Sequence, residues 1–379
     1  MEFLTQGLLA LTWKQLVMYA VGGLLIWLAV KKEMEPALLL PMGFGAILVN
    51  IPMSGVIDQT MAGAGQVQGI IDWLFEVGVH AAEAMPLLLF IGIGAMIDFG
   101  PVLSNPKLLL FGAAAQFGVF LTISAASLLG FDLVDAASIG IIGAADGPTS
   151  ILVSLTLGSK YIGAIAVAAY SYMALVPIIQ PFAIRLCTTR KERLIRMPYE
   201  PKSVSHTARL LFPIGVTLVA GLVAPASVSL VGFLMFGNLI RECGVLENLS
   251  QTAQKELANL ITLLLGITIA ASMKAESFVN LQTVMIMGLG VLAFVFDTVA
   301  GCLFAKLMNL FSKHKINPMV GAAGISAFPM SSRVIQKMGL KEDPTNHLLM
   351  HAVGANVAGQ IGSVIVGGVI LGLVPGMLG

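Results

Sequence analysis

Long apolar segments, separated by short polar stretches, follow one another along almost the whole chain. Each is about 15–30 residues long, which is the length of a helix that crosses a membrane. The residues that interrupt these segments are mostly glycine and proline, and few are charged. The pattern predicts an all-α polytopic membrane protein with twelve apolar segments, at residues 16–30, 37–51, 84–99, 108–130, 137–157, 161–184, 210–224, 226–240, 258–273, 280–311, 317–332 and 346–374.

Composition agrees with a membrane location. The chain of 379 residues is 57% hydrophobic and 11% charged, whereas ordinary soluble domains have roughly 25% charged residues. Its 41 glycines are typical of membrane helices that pack closely. Three widely spaced cysteines predict buried thiols rather than a disulfide framework or a zinc site. The net charge of +1 gives no indication of nucleic-acid binding.

The twelve segments divide into two similar halves. Leu87-Leu88-Leu89 resembles Leu263-Leu264-Leu265, and Gly143-Ala144-Ala145 resembles Gly321-Ala322-Ala323, in the same order and at nearly the same spacing. Such internal similarity is typical of duplicated folds. We therefore predict a first membrane repeat at residues 1–187, a basic cytoplasmic linker at 188–209 and a second membrane repeat at 210–379.

The distribution of Lys and Arg predicts that the second repeat is inverted. Loop 56–83 contains no Lys or Arg and is expected outside, whereas basic groups are expected inside. The basic groups agree with this only if the fifth segment of each half enters and leaves by the same side. Each half then has five spans plus one re-entrant, interrupted hairpin, with Lys160 and Lys274 as exceptions. The groups placed inside are Lys31, Lys32, the cluster at 185–196, Arg241, Lys313, Lys315, Arg333 and Lys337.

The two fifth segments contain the residues that break helices. The first spans 140–150 with Gly147 and Pro148, and the second spans 317–329 with Gly321 and Gly324. Proline removes a backbone donor and glycine weakens a helix. Each backbone group left unsatisfied in lipid costs on the order of several kcal/mol. Paired interrupted segments in matching places of two halves are typical of a transporter's ion site.

Asp146 is the most informative residue, because it lies within the first apolar hairpin. A carboxylate at a helix centre in a membrane costs roughly 2.5–3.5 kcal/mol on insertion scales, which a bound cation would offset. The alternative is a helix cap at the break. Hard cations prefer oxygen ligands, and candidates beside glycine or proline breaks are Thr149, Ser150, Asn317, Ser326 and Asn356.

Several other polar residues have two interpretations. Asn356 and Gln360 either bind at the site or bridge helices. Tyr172 either packs with a satisfied hydroxyl or supplies a proton or hydrogen bond at the site. Arg333 is either a topology anchor or a group that holds an anion arriving from the cytoplasm.

Three further features are weaker candidates. Asp297 lies near the middle of a long span and is a second carboxylate within the membrane. It faces a water-filled cavity or a subunit contact, and it is a weak candidate for the ion site. His347 and His351 are four residues apart, which suits a metal, but we favour ordinary interfacial histidines. We interpret the basic cluster at 185–196 as a group that sets the orientation of the chain in the membrane and contacts anionic lipid. Docking of a cytoplasmic partner is the alternative.

At these residues the chain resembles the beta subunits of the biotin-dependent, sodium-pumping decarboxylases, which act on oxaloacetate, methylmalonyl-CoA or glutaconyl-CoA. The resemblance covers essentially the whole chain. Its most specific segments are Gly143-Ala144-Ala145-Asp146-Gly147-Pro148-Thr149, Asn317-Pro318-Met319-Val320-Gly321-Ala322-Ala323-Gly324-Ile325-Ser326 and Gly354-Ala355-Asn356-Val357-Ala358-Gly359.

The resemblance implies a subunit that decarboxylates carboxybiotin and exports Na+, in the cytoplasmic membrane of a bacterium. It implies Asp146 and Asn356 as sodium ligands, Tyr172 in the proton and sodium chemistry, and Arg333 near carboxybiotin. Biotin would be on another subunit, because the chain lacks the biotin lysine motif. The implied partners are a soluble carboxyltransferase, a biotin carrier protein or domain, a small single-span membrane subunit and, with less support, further copies in a homotrimer.

The alternative function is a stand-alone sodium-coupled secondary transporter or antiporter. Inverted repeats and paired hairpins fit both functions equally well. A carrier works alone, whereas a decarboxylase subunit would purify together with a biotin protein.

Overall fold

The computed structural model describes residues 6–378 with the exception of 8, 34, 62–64, 81–82, 199–202 and 313. Lys313 and part of the predicted linker, 199–202, lie outside the described residues. The described chain is almost entirely helical, as predicted. The exception is a small antiparallel hairpin in loop 56–83, formed by β1 (Asp58–Met61) and β2 (Gly65–Gln68).

The helices of the first half follow the predicted apolar segments closely, and the fourth and fifth segments are each divided in two. The helices are α1 (Trp13–Lys32), α2 (Pro36–Val49), α3 (Ile70–Phe75), α4 (Ala84–Met96), α5 (Gly100–Ser104), α6 (Leu109–Ala115), α7 (Phe117–Leu128), α8 (Leu133–Gly140), α9 (Gly147–Thr156) and α10 (Ile162–Cys187).

The second half begins after a short linker helix. Its elements are α11 (Arg190–Arg193), α12 (His206–Val223), α13 (Val228–Glu242), α14 (Glu247–Thr252), α15 (Ala258–Ile269), α16 (Ala275–Phe278), α17 (Leu281–Phe311), α18 (Pro318–Ala322), α19 (Met330–Glu342) and α20 (Leu349–Leu378).

Local side-chain chemistry explains where several of these helices begin. Thr12 and Gln15 form a reciprocal capping box at the start of α1. Ser205 caps α12 and Asn280 caps α17, each accepting a hydrogen bond from a backbone amide in the first turn. Lys31 and Lys32 occupy the last turn of α1, where positive charge favours a helix end.

The number of full spans is smaller than the ten that the sequence predicts. In the described residues, six helices are long and apolar enough to cross a membrane, or eight if each of two bent pairs is one span. The helices α2 and α13 have 14 and 15 residues. At 1.5 Å per residue they reach only about 21–23 Å, which is less than a hydrocarbon core of about 30 Å. Both short helices follow the first helix of their half.

Corresponding helices of the two halves pack reciprocally. Helix α2 packs against α15, and its counterpart α13 packs against α4. Helix α10 packs against α17, and its counterpart α20 packs against α6. Helix α17 also crosses α7, so the fourth segments of the two halves meet in the middle. Each half therefore depends on the other for burial of its apolar faces.

Two asparagines, one in each half, form hydrogen bonds to the backbone of the other half. The Asn50 amide donates to the carbonyl of Met273, 2.9 Å away, and its oxygen accepts from the amide of Ala275 at 2.7 Å. In the other half, Asn238 donates to the carbonyl of Ile97 at 2.9 Å. Ile97 follows α4, and Met273 follows the short helical turn after α15. Each asparagine thus satisfies backbone groups freed where a helix of the opposite half stops.

Both fifth segments fold into hairpins whose two ends lie together. In the first hairpin, Lys160 after α9 forms ion pairs with Asp132 and Asp135 at the start of α8, at 3.3 and 3.0 Å. In the second, Asn317 and Asn346 donate to the same two carbonyls, those of Arg193 and Ile195. Residues 135–155 and 317–327 are buried throughout. The chain therefore enters and leaves each buried hairpin at one place.

The two lysines that depart from the charge rule, Lys160 and Lys274, each lie close to carboxylates. The ammonium of Lys160 is hydrogen-bonded to Asp135 and Asp132, whose charges raise the pKa of Lys160. The ammonium of Lys274 lies 4.0 Å from Asp58 in loop 56–83. Each of the two lysines therefore has a carboxylate as a neighbour in the fold.

We expect Asn50→Ala to reduce the thermal stability of the purified protein, because buried backbone groups around Met273 and Ala275 lose their partners. Leaving such groups unsatisfied costs about 1–3 kcal/mol. Differential scanning fluorimetry in detergent measures the change. Asn248→Ala, at an exposed position, is the control, and equal melting temperatures for the two variants would contradict the assigned role of Asn50.

Candidate functional site

The tips of the two buried hairpins meet inside the molecule. In the first hairpin a 3-10 turn (Ile141–Ala144) ends at Ala145, which has a left-handed backbone with a φ of 56°, and Asp146 follows as the residue before α9. In the second, α18 ends before a turn that contains Ser326. The amide of Ser326 donates to the carbonyl of Ala144, 3.2 Å away. The two helix breaks predicted from glycine and proline therefore contact each other.

The carboxylate of Asp146 accepts two hydroxyl hydrogen bonds at this junction. Thr149 donates to its Oδ2 at 2.6 Å, and Ser363 of α20 donates to the same oxygen at 3.0 Å. Asp146 occupies the cap position of α9, but its side chain makes no capping hydrogen bond there. Asp146 is 3% exposed, and no ion pair joins it to a basic side chain in the described part of the chain. The carboxylate is buried without a counter-charge.

One face of α20 presents polar side chains to both hairpins. Asn356 donates to the carbonyl of Ile325 at 2.6 Å, and Gln360 donates to the carbonyl of Ser326. Asn356, Gln360 and Ser363 follow at intervals of about one helical turn, so they lie on the same face. Helix α20 therefore connects Asp146 of the first hairpin with the broken backbone of the second.

Several buried oxygens at this junction have no hydrogen-bond partner. They include Oδ1 of Asn356 and the hydroxyls of Ser326 and Tyr170. A buried polar group without a partner costs free energy unless something binds it. Oxygen is the ligand type that a hard cation prefers, so these groups and the Asp146 carboxylate fit an alkali cation better than a transition metal.

The two tyrosines of α10 occupy different places. The ring of Tyr170 lies against Gly147, where any side chain at position 147 would overlap it. Tyr172 instead donates its hydroxyl to the carbonyl of Met287 on α17, and its ring packs against Gly290. The sequence singled out Tyr172 and missed Tyr170. The structure brings Tyr170 to the backbone break beside Asp146.

The sequence candidates in the second hairpin separate into two groups. Ser326 and Gly324 lie at the junction, where Gly324 packs directly against the backbone of Phe111 and Gly359. Gly321 packs backbone to backbone against Gly301 of α17. Asn317 lies at the start of α18, where its amide donates to two linker carbonyls at 2.8 Å each. Its hydrogen-bonding groups therefore hold the linker to the hairpin.

The remaining charged candidates lie at the surface. Arg333 is exposed, together with Lys337 and Lys341, on one face of α19. In the basic cluster, Arg193 pairs with Glu342 at 2.7 Å and Arg196 with Asp343 at 2.6 Å. Part of the cluster that sequence alone assigns to lipid or partner contact therefore binds the end of α19.

The two histidines have separate neighbours. His347 lies 3.3 Å from the amide of Gln336, and Nε2 of His351 lies 3.2 Å from the carbonyl of Met197. Their spacing suits a metal, although the sequence favours ordinary interfacial histidines, and these contacts provide partners for both rings.

Comparison with known proteins gives the family. Residues 14–374 match the family model described as Na+-transporting oxaloacetate decarboxylase beta subunit. The chain belongs to this family. It is 47% identical over 384 residues to the methylmalonyl-CoA decarboxylase subunit beta of Propionigenium modestum, covering 97% of this chain and 96% of that protein.

Two further relatives carry other substrate names. The oxaloacetate decarboxylase beta chain of Klebsiella pneumoniae is 46% identical over 417 residues, covering 96% of each chain. The glutaconyl-CoA decarboxylase subunit beta of Acidaminococcus fermentans is 47% identical over 370 residues, covering 98% of this chain and 96% of its own. The prediction of a sodium-transporting decarboxylase beta subunit is confirmed. Similar identity to relatives with three substrate names gives no basis for choosing a substrate.

If Na+ binds at the Asp146 carboxylate, we expect Ser363→Ala to weaken sodium binding, because the Ser363 hydroxyl donates to that carboxylate and adds an oxygen beside it. A hydrogen bond to a charged group contributes about 1.5–3 kcal/mol, so the sodium concentration for half-maximal activity rises about tenfold or more. Sodium titration of decarboxylation by the whole complex measures this. Ser124→Ala, at an exposed position on α7, is the control, and an unchanged sodium dependence in Ser363→Ala would contradict the assignment.

Proposed function

We propose that this subunit decarboxylates carboxybiotin and uses the reaction to export Na+, which binds at the junction of the two hairpins. The observation that supports this is the buried carboxylate of Asp146, which has no counter-charge and lies beside unpartnered oxygens. A cation is the group that such an environment lacks. In a family of sodium-transporting proteins, that cation is Na+.

The proposed sodium ligands come from three chain segments. Asp146 supplies the negative charge, and Thr149 lies 2.6 Å from its Oδ2. Asn356 and Ser326 supply the side-chain oxygens that have no other partner. Asn317, which the sequence also suggested, fits better as an anchor for the linker. Because these ligands belong to both hairpins and to α20, binding of an ion depends on the relative positions of the three segments.

The chemistry requires a proton as well as sodium. Decarboxylation of carboxybiotin breaks the bond between its ring nitrogen and the carboxyl carbon, releases CO2 and leaves a nitrogen that takes up a proton. Moving one Na+ outward against the membrane potential costs about 2.3 kcal/mol per 100 mV. We propose that the proton and Na+ use the same region, with Asp146 and Tyr172 taking part and Tyr170 placed at the break itself.

Arg333 fits the anionic end of carboxybiotin. Arg333 is exposed near the start of α19, the second arm of the second hairpin, and Lys337 and Lys341 continue the same face. An arginine can hold a carboxylate through two parallel hydrogen bonds. The three positive charges would attract the carboxybiotin and the subunit that carries it.

We further propose that the two membrane halves, 1–187 and 210–379, are inverted repeats joined by the basic linker. The reciprocal packing of corresponding helices and the exchanged asparagine contacts support this arrangement. The meeting hairpin tips are consistent with hairpins that enter from opposite sides. Movement of this core between two states would then expose the ion to one side at a time.

The proposed setting is the cytoplasmic membrane of a bacterium. The partners are a soluble carboxyltransferase, a biotin carrier protein or domain and a small single-span membrane subunit, and the chain itself is proposed to form a homotrimer. Biotin would be attached to the carrier and not to this chain.

Sodium uptake into inverted vesicles that contain the whole complex tests the proposal. We expect uptake to depend on the decarboxylation substrate, to be blocked by avidin and to fall to background in Asp146→Asn. Asp58→Asn, an exposed carboxylate in loop 56–83, is the matched control and should retain uptake.

Two results would contradict the proposal. Uptake that ignores avidin and follows an imposed proton or anion gradient would identify a secondary carrier. Uptake that persists in Asp146→Asn would place the sodium site elsewhere.

A further inference from the structure

A second carboxylate is buried in the same core, apart from the hairpin junction. Asp297 lies in the middle of α17 and is 1% exposed. Neither of its carboxylate oxygens has a side-chain hydrogen-bond partner, and its polar neighbours are the backbone amides of Gly118 and Val119 at the start of α7. No ion pair joins it to a basic side chain among the residues that the structure describes. The sodium site proposed above makes no use of this group.

Two helix breaks converge on the Asp297 carboxyl. Its Oδ1 lies against Gly118, in the first turn of α7, where the fourth segment restarts after its interruption at Gln116. Its Oδ2 lies against Gly143, in the 3-10 turn of the first hairpin. A side chain at either glycine would overlap the carboxyl. Backbone of α7 and backbone of the first hairpin therefore contact the Asp297 carboxyl on opposite oxygens.

These contacts determine what Asp297 can bind. A hard cation requires several oxygen ligands around it. The carboxyl fills the space where Gly118 and Gly143 lack side chains, so no ion with such a shell fits on those faces. A proton needs one oxygen and no added volume. It also removes the charge, whose cost in a membrane interior is roughly 2.5–3.5 kcal/mol or more.

We propose that Asp297 is a proton-binding site, protonated in the conformation described here, which exchanges its proton when the first hairpin moves away from α7 and α17. One proton binds one carboxylate oxygen, and no other bond changes. The inference goes beyond the sodium site, since it concerns a separate group.

The position of Gly143 links Asp297 to the proposed ion site through the backbone of the first hairpin. Gly143 is three residues before Asp146 in the same turn. Any shift of that turn that accompanies sodium binding or release therefore changes the contact at Oδ2 of Asp297. Separation of the two would admit water, and an ionised carboxylate is stable in water. Protonation of Asp297 and the position of the hairpin are in this way linked.

Other titratable groups around Asp297 are few. Segment 109–128, which forms α6 and α7, contains none. The first hairpin contributes Asp135 and Asp146, and α10 contributes Tyr170 and Tyr172, of which Tyr172 packs about two turns away on α17. Residues 317–327 of the second hairpin contain none. On α17 itself, Cys302 and Lys306 lie about one and a half and two and a half turns beyond Asp297. None of the groups facing Asp297 from the other elements carries a positive charge.

Infrared spectroscopy of the purified complex tests this directly, because a protonated carboxyl has a carbonyl stretch that a carboxylate lacks. We expect this band in the wild type and its loss in Asp297→Asn, a neutral residue of the same shape. Asp135→Asn is the matched control. Asp135 is also buried, but its carboxylate forms an ion pair with Lys160 at 3.0 Å, so this variant should keep the band.

The second measurement is the same band during turnover, with substrate and sodium added. We expect it to decrease as the first hairpin moves. Identical spectra for the wild type and Asp297→Asn would overturn the proposal, since Asp297 would then be an ionised cap for the start of α7. A band that stays constant through turnover would overturn the proton exchange.

If the Asp297→Asn complex does not assemble, isotope labelling tests the proposal without a substitution at Asp297. Heavy-carbon labelling of the aspartate carboxyl groups shifts the band if it comes from an aspartic acid, and Asp146→Asn removes the other candidate in the core. No shifted band in the labelled Asp146→Asn complex would also overturn the proposal. Because the readout is a spectrum, failure of sodium transport can be distinguished from failure of this inference.

Discussion

The structure depends on a buried carboxylate that has no counter-charge. Asp146 lies at the tip of a hairpin that is enclosed by protein on all sides. In an apolar environment its negative charge is unfavourable unless a cation or hydrogen-bond donors compensate for it. The hydroxyls of Thr149 and Ser363 provide part of that compensation. Binding of Na+ would provide the remainder.

The surrounding architecture satisfies the backbone that this site breaks. Each hairpin leaves amides and carbonyls unpaired where its helix stops, and lipid cannot hydrogen-bond to them. The tips pair with each other, and Asn356 and Gln360 of α20 bind the carbonyls of the second hairpin. Farther out, Asn50 and Asn238 do the same for the interrupted third segments. Interrupted helices are thus tolerated wherever a side chain from another segment reaches the break.

Much of this could be predicted from the sequence, because the signals are local. Apolar runs predicted most helix positions to within a few residues, although α19 extends ten residues beyond segment 317–332 and α14 begins eleven residues before segment 258–273. Glycine and proline located both hairpins. Asp146 was identifiable because charge is rare within an apolar run. The count of full spans was less accurate, since hydropathy alone does not show that α2 and α13 stop short of a membrane's thickness.

Contacts between distant segments could not be predicted in this way. Ser363 and Tyr170 are ordinary membrane-helix residues by sequence, and only packing shows that they lie beside Asp146 and Gly147. Asn317 stands next to a break but faces the linker. The lysines that violated the charge rule pair with carboxylates that only the fold brings near.

Equilibrium binding of radioactive sodium to the purified complex, without substrate, tests the central claim most directly. We predict saturable binding to the wild type and to Asp58→Asn, and its loss in Asp146→Asn with assembly of the complex intact. Equal sodium binding in Asp146→Asn and the wild type would contradict it, because the buried carboxylate would then not be the sodium site.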